Sequence, residues 1–178
     1  IQGGSITVVL GPAGTGKTYV SVKKAVQLLL SPGSHYKKII LARSIIPTGK
    51  SMGYLPGDVT EKLVPWVLPM LSVIEDSVGK SHLEYLMASN VVEIQPLETI
   101  RGRSFEDSII LIDEAQNLDF EEIKAITTRL GEGSKMVLMG DAWQSDIRDG
   151  APLLDFTKMC ERAGIGIPVI QFSVDEIV

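Results

Sequence analysis

The chain of 178 residues contains one cysteine and two histidines, and aromatic side chains make up only 6% of it. A single cysteine, Cys160, cannot form a disulfide within the chain, and nothing in the sequence indicates secretion. His35 and His82 have no cysteine or second histidine at ligand spacing, so we expect no metal site built on them. No apolar run approaches the roughly 18 residues of a membrane span, and no signal peptide is recognisable. We therefore expect a soluble, cytoplasmic protein without membrane contact.

An excess of positive charge is also missing. The chain has 17 Lys and Arg against 22 Asp and Glu, which gives a net charge of −5. Any contact with nucleic acid must therefore come from a local patch and not from a basic field over the whole surface. The hydrophobic fraction of 44% and the charged fraction of 22% are ordinary for a globular domain with a buried core.

Six short apolar runs rich in β-branched residues alternate with helical patterns. Continuous apolar runs of this kind are typical of strands that are buried on both faces. Strands that alternate with helices predict right-handed crossovers and a mostly parallel central sheet, covered by helices in a three-layer α/β sandwich. The predicted strands are residues 6–10, 38–42, 91–94, 109–112, 135–139 and 168–172.

The helix that follows Asp119 is the most clearly marked. Asp119 is its predicted N-cap, and Glu122 stands three residues on, as in a capping box. Its apolar face continues to Leu130, and Gly131 is the predicted C-terminal stop. Two further helices are predicted, one from Lys17 to the break at 31–33 and one from Pro152 to Gly164.

Residues 43–90 interrupt this alternation. Residues 43–58 contain several prolines and glycines and predict a long loop, a feature that is usually functional or mobile. Residues 61–76 have helical periodicity but contain Pro65 and Pro69, so we expect that helix to be bent or broken. We interpret the segment as an insertion within one domain that spans residues 1–178.

The stretch GPAGTGKT at residues 11–18 follows the first predicted strand and opens the first helix. Gly11, Gly16, Lys17 and Thr18 fit the phosphate-loop pattern, in which successive backbone N–H groups and a helix N-terminus face one anion. Lys17 would reach the β- and γ-phosphates, and the Thr18 hydroxyl would ligate Mg²⁺. The alternative is a plain glycine-rich turn. The predicted nucleotide-binding residues are Gly11, Pro12, Ala13, Gly14, Thr15, Gly16, Lys17, Thr18 and Tyr19.

Acidic and polar side chains follow two further predicted strands. Asp113 and Glu114 end the run SIILIDE, and we expect Asp113 to hold Mg²⁺ and Glu114 to polarise a water molecule. Two adjacent carboxylates are also favoured at a helix N-terminus, which is the alternative. After the strand at 135–139, Asp141 and Gln144 form a candidate γ-phosphate sensor, with Gln144 as the catalytic candidate. The alternative for this segment is a simple turn.

Several motifs, in order and spacing, resemble the PhoH-like proteins. They are GPAGTGKTYVSVKKAV, LPGD, IRGRSFEDSIILIDEAQN and TRLGEGSKMVLMGD, and the resemblance covers nearly the whole chain. It implies an ATP-binding, Mg²⁺-dependent hydrolase with one RecA-like core, similar to the first motor domain of superfamily 1 helicases. It also implies a partner that is RNA or another single-stranded nucleic acid. By match to the family motifs, Arg43 corresponds to the arginine of an RP element, although Ser44 replaces the proline.

Four arginines are candidates for contacts beyond the nucleotide. We expect Arg43, Arg101 and Arg103 to contact nucleic acid or a neighbouring subunit, although Arg103 could instead pair with Glu106 or Asp107. Helicases with a similar core complete the site with arginines from a second domain, which this chain has no room for. The expectation is therefore a homo-oligomeric ring of six subunits, in which Arg129 acts in trans on the neighbour's nucleotide.

Three other functions compete with nucleic-acid-coupled hydrolysis. A small-molecule phosphotransferase would need an acceptor pocket and a lid, and Glu114 beside Asp113 favours water as the acceptor. A GTP switch is disfavoured because the guanine-reading motif Asn-Lys-x-Asp is not found. A nucleotide-sensing module would bind ATP without turnover. The preference for ATP itself rests on the family resemblance.

Overall fold

A six-stranded sheet forms the centre of the fold in the computed structural model, which describes residues 5–45, 59–141, 151–173 and 175. Every neighbouring pair of strands in this sheet is parallel, and the strand order is β3-β2-β4-β5-β1-β6. The predicted mostly parallel sheet is confirmed. The strands are β1 Ser5–Leu10, β2 Lys38–Arg43, β3 Val92–Ile94, β4 Ser108–Asp113, β5 Lys135–Gly140 and β6 Val169–Gln171.

Helices cover both faces of the sheet, so the predicted three-layer α/β sandwich is confirmed. The first three helices pack in one hydrophobic cluster and the last three in the other. Within the described parts of the chain, none of the helices combines the length and the apolar composition that a membrane span requires. The helices are α1 Lys17–Leu30, α2 Val59–Val78, α3 Lys80–Ala88, α4 Leu97–Gly102, α5 Phe120–Thr127 and α6 Pro152–Arg162.

The central strand β4 explains why its sequence is a continuous apolar run. All six of its residues are buried. Ile110 and Ile112 lie in the cluster with α4, α5 and α6, whereas Ile109 and Leu111 lie in the cluster with α1, α2 and α3. Successive side chains of a strand point to opposite faces, and both faces of this strand are covered by helices.

Helix α2 is continuous from Val59 to Val78, although it contains Pro65 and Pro69. The sequence-based option of a broken helix is therefore wrong. An internal proline costs about 3 kcal/mol in a helix, and packing must offset that cost. The buried residues Met70 and Ile74 provide such packing on the side of the sheet that also carries α1. Together, α2 and α3 connect β2 to β3.

Helix α5 begins as the sequence predicts but ends earlier. Asp119 accepts a hydrogen bond from the backbone of Glu122, whose side chain accepts one from the backbone of Asp119, so the capping box is confirmed. The helix ends at Thr127 instead of continuing to Gly131. The reason is a contact distant in sequence, because Phe105 N donates to the carbonyl of Arg129 and Phe105 O accepts from Gly131 N at 2.8 Å. Backbone groups that pair across the fold in this way cannot continue the helix.

We predict that Gly131→Ala lowers the free energy of unfolding by about 1–3 kcal/mol, because a Cβ at this position overpacks its surroundings. That Cβ would lie 2.4 Å from the backbone carbonyl oxygen of Phe105. The same oxygen accepts the hydrogen bond from Gly131 N. The measurement is the urea-unfolding midpoint.

Gly102→Ala is the matched control, since a Cβ there meets no atom of the described residues within 4 Å. We expect this control to be neutral or to gain up to about 1 kcal/mol. An equal loss of stability in the two variants would contradict the contact at Gly131.

Candidate functional site

The carboxyl ends of β1, β4 and β5 meet at one edge of the sheet and enclose a cavity of about 350 Å³. Open parallel sheets bind their ligands at this edge. The residues that line the cavity come from the loop between β1 and α1 with the first turn of α1, and from the ends of β4 and β5 with the residue after each. Three segments that are distant in sequence therefore contribute to one site.

The loop between β1 and α1 curls around the N-terminus of α1. Gly14 and Gly16 have φ angles of 82° and 78°, which lie in the left-handed region that favours glycine. Thr15 closes the turn by donating from Oγ1 to the carbonyl of Pro12 at 2.8 Å. A loop of this shape directs backbone N–H groups and the positive end of the α1 dipole into the cavity, and both favour an anion.

Lys17 folds back on the loop to which it belongs. Its Nζ donates to the carbonyl oxygens of Gly11 and Pro12, both at 2.6 Å. The base of the same loop packs closely against the segment after β6, because a Cβ at Gly11 would lie 2.7 Å from the Cβ of Phe172. The lysine thus places a positive charge at the mouth of the anion-binding turn.

Asp113 ends β4 and connects that strand to the loop. Its Oδ1 accepts a hydrogen bond from the Thr18 hydroxyl at 3.2 Å. Burial raises the pKa of the Asp113 carboxyl, while the neighbouring Arg43 guanidinium acts to lower it. A cation at this position would stabilise the buried carboxylate more strongly than the arginine alone.

The pair formed by Thr18 and Asp113 fits Mg²⁺. Both supply oxygen ligands, which this hard cation prefers, and Mg²⁺ commonly takes its remaining ligands from water and from phosphates. Among the residues with described positions, no group of three or more His, Cys, Asp or Glu is arranged to hold a metal ion. Two protein oxygens beside an anion-binding loop therefore suit a cation that arrives together with phosphates.

Glu114 adopts a left-handed backbone conformation, with a φ of 54° and a ψ of 37°. This conformation is uncommon for a residue other than glycine and is often found at functional sites. The side chain lies at the cavity, where its Oε1 accepts from Arg43 Nη2 at 2.9 Å and its Oε2 accepts from Gln116 Nε2. Both carboxylate oxygens therefore have a donor.

Gln116 is a site residue that sequence reasoning missed. Its side chain is almost fully buried, and its Oε1 accepts from the backbone N of Asp141 at 3.1 Å. It therefore connects Glu114, after β4, to the end of β5. A side chain on Gly140 would collide with it, because a Cβ there would lie 2.8 Å from Gln116 Oε1. The only signal in the sequence is the position of Gln116 in the string DEAQN.

Arg43 lies among the acids of the site, beside residues of its own chain. It is the register partner of Asp113 in the pairing of β2 with β4. Its Nη1 is 3.6 Å from Asp113 Oδ2 and donates to the backbone carbonyl of Trp66 at 3.2 Å. The sequence suggested that Arg43 contacts nucleic acid or a neighbouring subunit. It did not predict these contacts to Asp113 and Glu114 of the same chain.

The other predicted arginines lie away from the cavity. Arg101 pairs with Glu122 at the start of α5. The Arg103 guanidinium stands 4.9 Å from the centre of the Phe105 ring and 3.9 Å from Glu93, not beside Glu106 or Asp107. Arg129 is exposed just after α5. Gln144, the predicted sensor, lies outside the described residues, whereas Asp141 is buried and lines the cavity.

A parallel α/β sandwich with a phosphate loop between β1 and α1 and an acid at the end of β4 has the fold of the P-loop nucleoside triphosphatases. The family model described as PhoH-like protein matches residues 1–178, and the chain belongs to that family.

Three curated proteins are similar to most of this chain. A PhoH-like protein of Bacillus subtilis is 42% identical over 170 residues, which is 95% of this chain and 53% of that protein. Protein PhoH of Escherichia coli is 32% identical over 180 residues, which is 100% of this chain and 48% of that protein. Protein PhoH2 of Bacillus subtilis is 43% identical over 145 residues, which is 79% of this chain and 33% of that protein. The chain thus spans about half the length, or less, of these relatives.

We predict that Gln116→Leu lowers the free energy of unfolding by about 1–3 kcal/mol, because it removes two hydrogen bonds from a buried site. Gln27→Leu, the same substitution at an exposed position of α1, is the control. It should change the free energy of unfolding by no more than about 0.5 kcal/mol. Urea unfolding of the two variants checks the prediction, and equal stabilities would show that the bridge between β4 and β5 contributes nothing.

Proposed function

We propose that the chain is a cytoplasmic, Mg²⁺-dependent ATPase that couples hydrolysis to the remodelling of RNA or another single-stranded nucleic acid. The observation that carries the proposal is the junction of Lys17, Thr18 and Asp113 in one cavity at the carboxyl edge of the sheet. The glycine-rich turn, the Lys17 ammonium group and the buried Asp113 carboxylate meet there. A metal-bound triphosphate requires groups of these three kinds.

The phosphate loop supplies binding and charge stabilisation. Backbone N–H groups of the loop and the N-terminus of α1 hold the phosphates. Lys17 leaves the carbonyls of Gly11 and Pro12 and donates to the β- and γ-phosphate oxygens. Charge that develops on those oxygens during transfer is then stabilised by a group already in place.

The two acids have separate roles. Thr18 and Asp113 would hold Mg²⁺, which when bound neutralises charge on the phosphates. Glu114 orients a water molecule and accepts its proton as the water oxygen bonds to the γ-phosphorus and the bond to the β-phosphate oxygen breaks. The products are ADP and inorganic phosphate. The position of Glu114 at the cavity favours water as the acceptor over a small-molecule substrate.

The choice of ATP and of nucleic acid rests on membership of the PhoH-like family. Arg101 and Arg103 are engaged within the chain, so they support a nucleic-acid contact less than the sequence suggested. Arg129 is exposed and remains our candidate for a residue acting in trans in a six-membered ring. An arginine given in trans would add positive charge at the γ-phosphate, as arginine fingers do in P-loop enzymes.

We predict that Lys17→Ala reduces ATP hydrolysis by about 10²–10³-fold, because a positive charge on the transferring phosphate is lost. The measurement is steady-state release of phosphate at saturating Mg²⁺. Lys24→Ala, an exposed position on the same helix, is the matched control and should hydrolyse ATP at the wild-type rate. Wild-type activity in Lys17→Ala would show that the phosphate loop is assigned wrongly.

We predict that Glu114→Gln binds Mg·ATP with little change in affinity but hydrolyses it about 10²–10⁴-fold more slowly, because the water loses its base. Titration calorimetry and phosphate release together separate binding from turnover. Glu121→Gln, exposed in the first turn of α5, is the control and should match the wild type in both assays. Loss of Mg·ATP binding in Glu114→Gln would move this residue to the metal-holding role.

A further inference from the structure

Arg43 is positioned to connect three elements of the fold. It ends β2, and its guanidinium contacts two acids at the carboxyl end of β4 and the backbone of α2. Nη2 donates to Glu114 Oε1 at 2.9 Å, while Nη1 lies 3.6 Å from Asp113 Oδ2 and donates to the Trp66 carbonyl at 3.2 Å. One planar group with several donors in fixed directions can make all three contacts at once.

The contact to Glu114 conflicts with the proposed role of that residue. A general base must lie within about 2.6–3.2 Å of the water whose proton it accepts. In this structure Glu114 Oε1 is held by Arg43 and Oε2 by Gln116. Each oxygen can still accept a second hydrogen bond, but together the two donors fix the direction of the carboxylate. Glu114 can therefore turn toward an attacking water only when one donor is released, and Arg43 is the donor that belongs to a different strand.

The contact to Asp113 provides a reason for release. The Arg43 guanidinium lies between two carboxylates, and their charge holds it there. A divalent cation on Asp113 would repel the guanidinium and cancel one of the two charges that attract it. The same event that loads the site would therefore weaken the hold on Glu114.

The contact to Trp66 leads away from the site. The Trp66 side chain is 43% exposed and Leu68 beside it is 50% exposed, so this turn of α2 presents apolar surface. Pro65 and Pro69 flank Trp66, and each removes a backbone donor from the helix. A turn with fewer internal hydrogen bonds rearranges more readily when a bond to its carbonyl is lost or formed.

We propose that Arg43 is a positioning residue that holds Glu114 away from the attacking water in the nucleotide-free protein, and that its release is transmitted to α2 through Trp66. The proposal rests on the ATPase function proposed above. It assigns Arg43 to the control of hydrolysis within its own subunit, whereas the sequence suggested a contact to nucleic acid or to a neighbour.

The first test measures the fluorescence of Trp66 in a Trp143→Phe background, since the chain has two tryptophans. Mg²⁺ with a non-hydrolysable ATP analogue should change the Trp66 emission, and Arg43→Ala should abolish that change. Calorimetry establishes that each variant is saturated with the analogue. Arg43→Lys keeps the charge but not the planar fork, so it should retain part of the change. Arg162→Ala removes an exposed arginine in the last turn of α6 and should behave like the background protein.

The second test measures phosphate release in the absence of nucleic acid. Arg43→Ala should raise kcat by about threefold to tenfold and leave KM nearly unchanged, because one partly exposed charged contact to Glu114 is lost. Arg43→Lys should lie between the wild type and Arg43→Ala, and Arg162→Ala should match the wild type.

Two results would overturn the proposal. A fall in kcat in Arg43→Ala would assign Arg43 to direct stabilisation of the phosphates or to a structural role. A Trp66 response that is absent in the background protein, or that persists in Arg43→Ala, would remove the link to α2. Failure of the proposed function is distinguishable, because then calorimetry finds no Mg·ATP binding or none of the variants hydrolyses ATP. Failure of the Arg43 proposal instead leaves binding and hydrolysis by the background protein intact.

Discussion

The hydrogen bond from the Thr18 hydroxyl to the Asp113 carboxylate joins the two halves of the site, and the rest of the arrangement depends on it. Thr18 lies in the first turn of the helix that follows β1, Asp113 ends β4, and β5 separates the two strands in the sheet. Their side chains meet only because all three strands are parallel and end at one edge. Strand β4 lies between β2 and β5 and is covered by helices on both faces, which holds its carboxyl end at that edge.

The site is balanced in its resting form, in the sense that each principal charge has a partner within the chain. Lys17 donates to carbonyls of its own loop, and Arg43 lies between Asp113 and Glu114. Burial nevertheless raises the pKa of Asp113, because removal from water disfavours the charged carboxylate. A ligand that brings anionic phosphates and a cation together would give both the lysine and the aspartate better partners. In this account, binding of the nucleotide replaces contacts inside the protein by contacts to the ligand.

The features that sequence predicted well are local ones. The strands follow from apolar runs, and the start of α5 follows from Asp119 and Glu122, which need only each other. The end of α5 was predicted too late, because it depends on backbone pairing with Phe105, more than twenty residues away. The positions of Arg43 and Gln116 depend on the register of β2 with β4 and on the approach of β5. No sequence pattern contains that register, so the glycine-rich turn before α1 could be predicted and the partners of Glu114 could not.

The central claim is that the loop at residues 11–18 holds the phosphates of a Mg²⁺-bound nucleoside triphosphate. The most direct measurement is a crystal structure of the protein with Mg²⁺ and a non-hydrolysable ATP analogue. We expect that the phosphates lie in this loop, that Lys17 Nζ has left the carbonyls of Gly11 and Pro12 for phosphate oxygens, and that the metal lies beside Thr18 and Asp113. A nucleotide bound elsewhere, with Lys17 still on those carbonyls, would contradict it.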